Sequence, residues 1–535
     1  MIYYLSPITY YLSPITYHLN TFNLKKMRAL VSVSDKTNLV PFVQQLQELG
    51  WEIIATGGTQ TLLENNGVRT INISDVTGFP EILDGRVKTL HPNVHGGILA
   101  RRDVPEHMQI LKEQQIETID LVCVNLYPFK QTIAKEGVTL EEAIEKIDIG
   151  GPSMVRSAAK NWHDVTIVCD PADYDTVIAE IRANGNTSRE TRLKLSAKAY
   201  THTAEYDCCI ATYMRKQAGL NEKLFLEYDL KQPLRYGENP HQTANFYAAA
   251  TPVPYSLAFG KQLQGKELSY NNIQDANAAL NVVRDFDEPF CVALKHMNPC
   301  GAAVAPTIEE AWQAAYEADK VSIYGGIVAM NRPLTKTVAE GMKPIFLEIV
   351  IAPSFTSEAM EILSTKKNLR VMEVDMTKTN APVPQYVGVV GGLLAQQLDT
   401  QIENITTDMC VTEVKPTDKQ MADMAFGWRI VKHVKSNAIA VVKDNHTLGI
   451  GAGQTNRVGS AEIALKQAHA AGYTEGLVLA SDGFLPFDDT VVLAHQYGVT
   501  AIVQPGGSIR DEDAIKKANE LGITMLFTGV RHFKH

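Results

Sequence analysis

The chain has 535 residues, 45% of them hydrophobic and 21% charged, with a formal net charge of -10. Such a composition belongs to ordinary globular protein with room for at least two sizeable cores, and its acidic balance argues against a nucleic-acid binder, which needs a basic face. The seven cysteines are odd in number and form no CxxC pair, which argues against a disulfide framework and against a zinc ribbon, and no apolar run approaches the ~20 residues of a membrane span.

The heptapeptide YLSPITY stands at residues 4–10 and again at 11–17. It has no helical pattern and lacks the basic start and long apolar run of a signal peptide. Residues 1–26 are expected to be a disordered or spuriously translated extension, with Met27 the natural start; an added β-hairpin is the alternative.

From Met27 strands and helices alternate. ALVSVS (29–34) predicts a buried strand, and DKTNLVPFVQQLQELG (35–50) a helix closed by Gly50. WEIIAT (51–56) predicts a second strand, GGTQTLLENNG (57–67) a glycine turn and short helix, and IDLVCVNLYPF (119–129) and DVTIVCD (164–170) further strands. This rhythm implies a parallel α/β sheet. A polar, proline-bearing stretch breaks it, and a domain boundary is expected near 218–226. A second α/β region follows, with CVALKH, GGIVAM and FLEIVIAP before a polar interval near 365–420, and AIAVVKD, LGIGAG, GLVLASDG and TAIVQPGG after it. It is expected to form two lobes.

Two turns resemble phosphate sites. SVSDK (32–36) and TGGT (56–59) each sit where a strand feeds a helix, where unpaired amides and the helix dipole favour an anion. Glycines allow close approach, and the hydroxyls of Ser34 and Thr59 add donors; simple capping is the bland alternative. GRVKTLHPNVHGGILARR (85–102) brings Arg86 and Lys88 to one side if extended. His91 and His95 suggest a metal, but no third ligand presents itself and Pro92 argues against a regular helix through the pair. A cationic substrate loop is preferred and no metal is expected. In IDIGGPSMVRSAAKN (147–161), Gly150 and Gly151 make a turn and Pro152 suits the first helical position. The amides there can hold a developing oxyanion, with Asp148 beside them and Lys160 about two turns on.

In the second region LRYGENPHQ offers Arg235 and Tyr236, and TGVRHFKH sets Arg531 and Phe533 two apart. GIGAGQ (449–454) has GxGxG rather than GxGxxG spacing, so it is a weak dinucleotide signal. LKHMNPCG (294–301) sets Lys295 beside His296. The Pro-Cys-Gly that follows is expected to make a turn, and His296 to accept a proton. Adjacent strand residues face opposite ways, so both reach one site only at a strand end.

Taken in order, SVSDKT, TGGT, TGFPEILDGRVKTLHPNVHGGILARR, NLYPF, IDIGGPSMVRSAAKN, LRYGENPHQ, LKHMNPCG, VKHVKSNAIAV, GIGAGQ, SDGFLPF and RHFKH resemble the bifunctional phosphoribosylaminoimidazolecarboxamide formyltransferase / IMP cyclohydrolase family. The resemblance covers Met27 to His535. It implies a methylglyoxal-synthase-like cyclohydrolase domain over 27–222 and a formyltransferase of two cytidine-deaminase-like lobes over 223–535, divided near 400. It also implies a cytoplasmic homodimer with interfacial formyltransferase sites, no catalytic metal, no nucleic acid and no membrane. The implied co-substrate is 10-formyltetrahydrofolate.

By the same resemblance His296 is the base for formyl transfer, Lys295 assists, and Asn437 positions the formyl group or the base. Arg235, Tyr236, Arg531 and Phe533 are implied nucleotide contacts; Tyr324, Phe484, Pro486 and Asp489 are implied folate contacts. Relatives commonly carry Phe at the place of Tyr324 and Arg at that of Asp488. For ring closure the implied catalytic residues are Lys88, Tyr127, Asp148 and Lys160, with Ser34, Lys36, Gly58, Thr59, Arg86 and Thr89 around the nucleotide. Two rivals are an active formyltransferase fused to a phosphate-ligand-binding regulatory domain, and an NAD-dependent dehydrogenase resting on GIGAGQ alone.

Overall fold

The computed structural model describes residues 26–379 and 381–535. The extension expected over 1–26 lies outside the described residues except for Lys26. The chain divides into two compact units, the division falling between Leu226 and Glu227.

Among the described residues of the first unit, β1 (Arg28–Ser32), β2 (Glu52–Ala55), β3 (Ile71–Asn72), β4 (Leu121–Val124) and β5 (Thr166–Val168) form one sheet in the order β3-β2-β1-β4-β5. Every neighbouring pair is parallel. β1 and β4 are buried on both faces because helices cover both sides of a parallel sheet. Helix α1 (Leu39–Glu48) shows how: Leu39, Phe42, Val43 and Leu46 make one apolar stripe, all buried. Each such side chain withdrawn from water contributes roughly 1.5–3 kcal/mol.

The order of the strands reverses at β1, which has β2 on one side and β4 on the other. Crossovers leave in opposite directions there, opening a crevice at the carboxyl ends of the strands. β4 is shorter than its apolar run predicted. From Asn125 the chain leaves the ladder: the Asn125 side chain bonds to the loop after β1, and Pro128 lacks a ladder donor.

The second unit holds an eleven-stranded sheet among its described residues: β8 (Lys261–Gln264), β9 (Phe290–Lys295), β10 (Asn298–Val304), β11 (Ile327–Met330), β12 (Ile349–Ala352), β13 (Arg370–Glu373), β16 (Ile439–Lys443), β17 (His446–Gly451), β18 (Leu477–Ser481), β19 (Val499–Gln504) and β20 (Thr524–Phe527). Two-stranded sheets are made by β6 (Asp229–Leu234) with β7 (Ala244–Ala248), and by β14 (Pro384–Val389) with β15 (Gly392–Gln397). The large sheet runs β20-β19-β18-β16-β17-β10-β9-β11-β12-β13-β8. From the β17–β10 junction outward it repeats itself: an antiparallel hairpin, then parallel strands.

The two lobes are therefore halves of one sheet, and one face carries a single core. Val292 and Leu294 of β9 pack in the same cluster as Ala440 and Val442 of β16. Helices α4 (Tyr270–Arg284) and α6 (Asp418–Val431) cover that face; the label α2 is kept for Gly57–Asn65, α3 for Gly150–Lys160, α5 for Ile308–Ala318 and α7 for Arg457–Ala470. The alternate residues Cys291 and Ala293 face a second cluster under α5, and Ile439 and Val441 a third under α7. This is the period-2 alternation of a strand sandwiched between helix layers.

The glycines of GIGAGQ serve this packing. A Cβ on Gly449 would fall within 3.0 Å of the Ala464 carbonyl, and one on Gly451 within 3.0 Å of that of Ser460, both on α7. Gly301 stands in the same relation to Ala315 of α5. The motif lets a helix lie close on a hairpin, which is a structural reason for it without a dinucleotide.

Candidate functional site

In the first unit a cavity of about 690 Å³ opens at the reversal between β1 and β4. It is lined by Ser34, Lys36, Gly58, Thr59, Arg86, Lys88, Thr89, Tyr127 and Asp148, all expected from the sequence, and also by Asn125, Asp84 and Gly151. Lys160 does not line it. That residue is the exposed last residue of α3, about 15 Å along the axis from Gly150 at the rise of a helix.

The cavity floor is a set of amides. Thr56 precedes α2 with no side-chain cap. An ideal Cβ on Gly58 would stand 3.7 Å from Lys36 Nζ and one on Gly57 3.8 Å from Lys88 Nζ, so two ammonium groups hang over the start of the helix. Helix dipole, glycine backbone and both charges favour one anion there. The Thr59 hydroxyl is used within the protein: it donates to the Val33 carbonyl at 3.1 Å and accepts from the Val33 amide at 3.2 Å. Thr59 therefore ties the two turns together.

Asn125 was not expected. Its Oδ1 accepts the amides of Ser34 at 2.6 Å and Asp35 at 2.9 Å, and its Nδ2 donates to the Asp35 carbonyl at 3.0 Å. The only sequence signal was a polar residue ending a buried run. Arg86 pairs with Glu145, and Lys88 with Glu81 at 3.5 Å.

On the far wall α3 begins at Gly150, so Pro152 is its third residue rather than its first. Proline is tolerated throughout a first turn, whose N–H groups lack helical partners. Asp148 Oδ1 accepts the Gly151 amide at 2.8 Å, and the Asp148 amide donates to the Tyr206 hydroxyl at 2.7 Å. Burial pushes the Asp148 carboxyl above its ordinary range, against the Gly151 hydrogen bond and the Lys88 charge. Tyr127, 43% exposed, stands at the cavity beside it.

The expectation that Pro92 prevents a helix near His91 and His95 is corrected. A helix runs over Pro92–Leu99 with His91 as its N-cap, because proline fits the first helical position. His91 Nδ1 accepts the Asn93 amide at 3.1 Å, and His95 Nδ1 lies 3.0 Å from Ser157 Oγ.

In the second unit Lys295 ends β9, and His296 and Met297 form the two-residue hairpin turn, with φ of 52° and 62°. The turn thus falls on His-Met. The Pro-Cys-Gly expected to turn lies within β10, as a register irregularity between Pro299 and Gly301. A two-residue hairpin with positive φ at both centres is usually built on Asn-Gly, so His-Met does not announce the turn. Burial pushes the Cys300 thiol up to about 12, which makes it a poor nucleophile. His296 is exposed; Lys295 Nζ donates to the Tyr324 carbonyl at 2.9 Å.

A second cavity of about 350 Å³ is lined by Asn437, Phe484, Pro486, Asp489 and Phe533, together with Arg457. Arg457 donates to Asn437 Oδ1 at 2.7 Å and pairs with the buried Asp482. Asn437 Nδ2 donates to the Gln454 carbonyl at 2.9 Å. Asn298 links this loop to the hairpin: its Oδ1 accepts the Lys435 amide at 3.0 Å, and its Nδ2 donates to the His296 carbonyl at 3.0 Å. Arg457, Asp482 and Asn298 carried no readable signal, since Arg457 meets Asn437 and Asp482, and Asn298 meets Lys435, across long separations in sequence.

Arg235, Tyr236, Arg531, Tyr324, Lys295 and His296 line neither cavity. Arg235 lies over the Tyr236 ring at 4.9 Å, and Arg531 over that of Phe533 at 4.6 Å.

Residues 158–467 match the family model described as AICARFT/IMPCHase bienzyme, and residues 38–153 match the MGS-like domain. The chain is 57% identical over 514 residues to the bifunctional purine biosynthesis protein PurH of Streptococcus thermophilus, covering 95% of this chain and 99% of that one. PurH of Bacillus cytotoxicus is 57% identical, covering 95% and 100%, and that of Ligilactobacillus salivarius is 58% identical with the same coverage. A solved structure described as a crystal structure of ForH is 40% identical over 35% of this chain and 95% of its own, with a TM-score of 0.33. With an MGS-like domain ahead of its larger unit, the chain belongs to the AICARFT/IMPCHase bienzyme family.

Proposed function

We propose that this chain carries out the last two steps of IMP synthesis, formyl transfer in the second unit and ring closure in the first. The observation that carries the reading is the gathering of Lys88, Tyr127 and Asp148 with the anion-binding turns around one cavity. A module that only bound a phosphate ligand would use Lys36, Lys88 and the start of α2; the half-buried Asp148 and the exposed Tyr127 across the cavity are surplus to binding. This favours an enzyme over the regulatory-domain alternative.

In ring closure the nucleotide phosphate sits at the start of α2, between Lys36 and Lys88. The carboxamide nitrogen attacks the formyl carbon of the same molecule, so positioning supplies much of the rate. The amides at Gly150 and Gly151 support the oxygen as charge develops. Asp148 takes the amide proton, and Tyr127 serves the oxygen that departs as water. Arg86, Thr89, Ser34 and Gly58 hold phosphate and ribose, and Thr59 fixes the turn beneath them through its bonds to Val33. Lys160 is assigned a lesser part, through its end of α3.

In formyl transfer the acceptor amine of the aminoimidazole carboxamide ribonucleotide is weakened by conjugation, and a base near neutrality helps it. His296 takes its proton as the amine attacks the formyl carbon of 10-formyltetrahydrofolate, and tetrahydrofolate leaves. Lys295 assists, and Asn437 positions the formyl group. Phe484, Pro486, Asp489 and Tyr324 serve the folate; Arg235, Tyr236, Arg531 and Phe533 serve the nucleotide. The exposed apolar surface of the β14–β15 hairpin at Val387, Val389 and Leu394 supports a homodimer. All seven cysteines are free, which fits a reducing cytoplasm.

The test uses the full chain with the ribonucleotide, with and without 10-formyltetrahydrofolate, following tetrahydrofolate and IMP together. Both products are expected, and a His296→Ala variant should still cyclise supplied formylated nucleotide. A wild type that makes tetrahydrofolate but never cyclises overturns the role of the first unit.

A further inference from the structure

The two lobes of the second unit contain the same device twice. In the first, Asp275 of α4 accepts the Met297 amide at 2.7 Å. In the second, Asp423 of α6 accepts the Asn445 amide at 2.7 Å. Both carboxylates also face the amide of the preceding turn residue, His296 or Asp444. All four turn residues have positive φ: 52° and 62° at His296 and Met297, 53° and 55° at Asp444 and Asn445. The lysine before each turn repeats as well: Lys295 Nζ donates to the Tyr324 carbonyl at 2.9 Å, and Lys443 Nζ to that of Glu475 at 2.9 Å.

Asp and Asn, and to a lesser degree His, tolerate left-handed backbone; Met does so at a cost of order 1–3 kcal/mol unless the surroundings hold it, and the Asp275 bond falls on the Met297 amide. In the second lobe the clasp therefore assists residues that suit the turn. In the first it enforces a conformation that Met297 resists. The charges differ too. Asp423 faces another carboxylate, Asp444, which is paired with Lys419. Asp275 faces an imidazole.

We propose that Asp275 is a positioning residue for formyl transfer: its carboxylate holds the His296–Met297 turn in its left-handed form and faces the imidazolium that forms when His296 takes the substrate proton. This rests on the reading of His296 as the base. Only in the first lobe does the turn carry such a group, so only there does loss of the clasp reach the chemistry. A carboxylate bonded to the amides of the turn fixes the backbone from which the imidazole projects and puts a negative charge near the cation formed in the step.

Asp423 supplies the control. Asp275→Asn keeps an acceptor for the amides and removes the charge, and Asp423→Asn does the same in the other lobe. The full chain is assayed for formyl transfer, with thermal unfolding beside it. For D275N, kcat is expected to fall about 10- to 100-fold, part of what a well-supported general base supplies, because the negative charge near the imidazolium is gone, with KM for the nucleotide within about twofold. D423N should keep kcat within about twofold whatever its unfolding temperature. If D275N does not fold, Asp275→Ser, whose shorter side chain removes both the charge and the bond to the turn, should show at least the same kcat loss. A wild-type kcat in either Asp275 variant overturns the proposal, and so does an equal loss in D423N. His296→Ala separates the two readings: retained formyl transfer there overturns the base assignment itself, whereas its loss with an unaffected D275N overturns only the role of Asp275.

Discussion

The Asp148 carboxylate accepts the Gly151 amide at 2.8 Å, which binds the acid of the first cavity to the helix start that faces the anion turns. There is no room for a side chain in that contact. A Cβ on Gly151 would come within 3.0 Å of the Asp148 carboxylate and also crowd Leu126. Gly151→Ala is therefore expected to slow cyclisation of supplied formylated nucleotide by at least about 10-fold, the scale of losing one aligned contact. Formyl transfer should be unchanged, and the two activities measured on one preparation check this.

Asp148→Asn separates stability from activity. Burial raises the folded Asp148 carboxyl above its ordinary 3.8, so between those values the folded chain binds more protons than the unfolded one. Stability is then lost as pH rises through that window. D148N should unfold at a higher temperature than wild type at neutral pH, with the gap closing toward pH 4, while cyclisation is abolished.

Lys36 stands over Gly58 at the start of α2. A charge-assisted hydrogen bond is worth about 1.5–3 kcal/mol, or roughly 10- to 100-fold in binding. Lys36→Ala should raise KM for the formylated nucleotide by that amount with little effect on kcat, and inorganic phosphate should compete more weakly. An unchanged KM would remove Lys36 from the anion site.

His532 lies between Asp399 at 2.6 Å and Glu403 at 2.8 Å. Burial opposes its charge, but the two carboxylates outweigh burial and raise it above its ordinary 6.5. A raised histidine contributes stability fully below its unfolded value, and that contribution is lost as pH rises through the folded one. The second unit should weaken as pH climbs above 6.5, and His532→Gln should flatten that slope. Thermal unfolding across the range checks it.

Gly301→Ala and Gly449→Ala each force a helix carbonyl away, that of Ala315 or Ala464. Overpacking at this closeness should cost about 3 kcal/mol or more. Denaturant unfolding of the two variants should show similar losses, and NAD should give G449A no thermal shift.

Much of the first unit was legible in the sequence. Its strands are short apolar runs, its helices carry one stripe, and its anion turns use glycine and hydroxyl residues at strand ends. These are local requirements, written within a few neighbouring positions, so the turns bearing Ser34, Lys36, Gly58 and Thr59 and the loops bearing Arg86, Lys88 and Asp148 stand out from their own motifs, whereas Tyr127 is implied by the family resemblance alone. What only the tertiary structure decided was joined across long separations. Asn125 clamps a loop ninety residues away in sequence, Asp275 bonds the left-handed turn at Met297, and Arg457, itself paired with Asp482, donates directly to Asn437. The placing of the hairpin turn on His-Met belongs here too, because no local preference selects Met297 for positive φ. Local propensity specifies elements, whereas a hydrogen-bond partner brought in by folding specifies where a reactive side chain points.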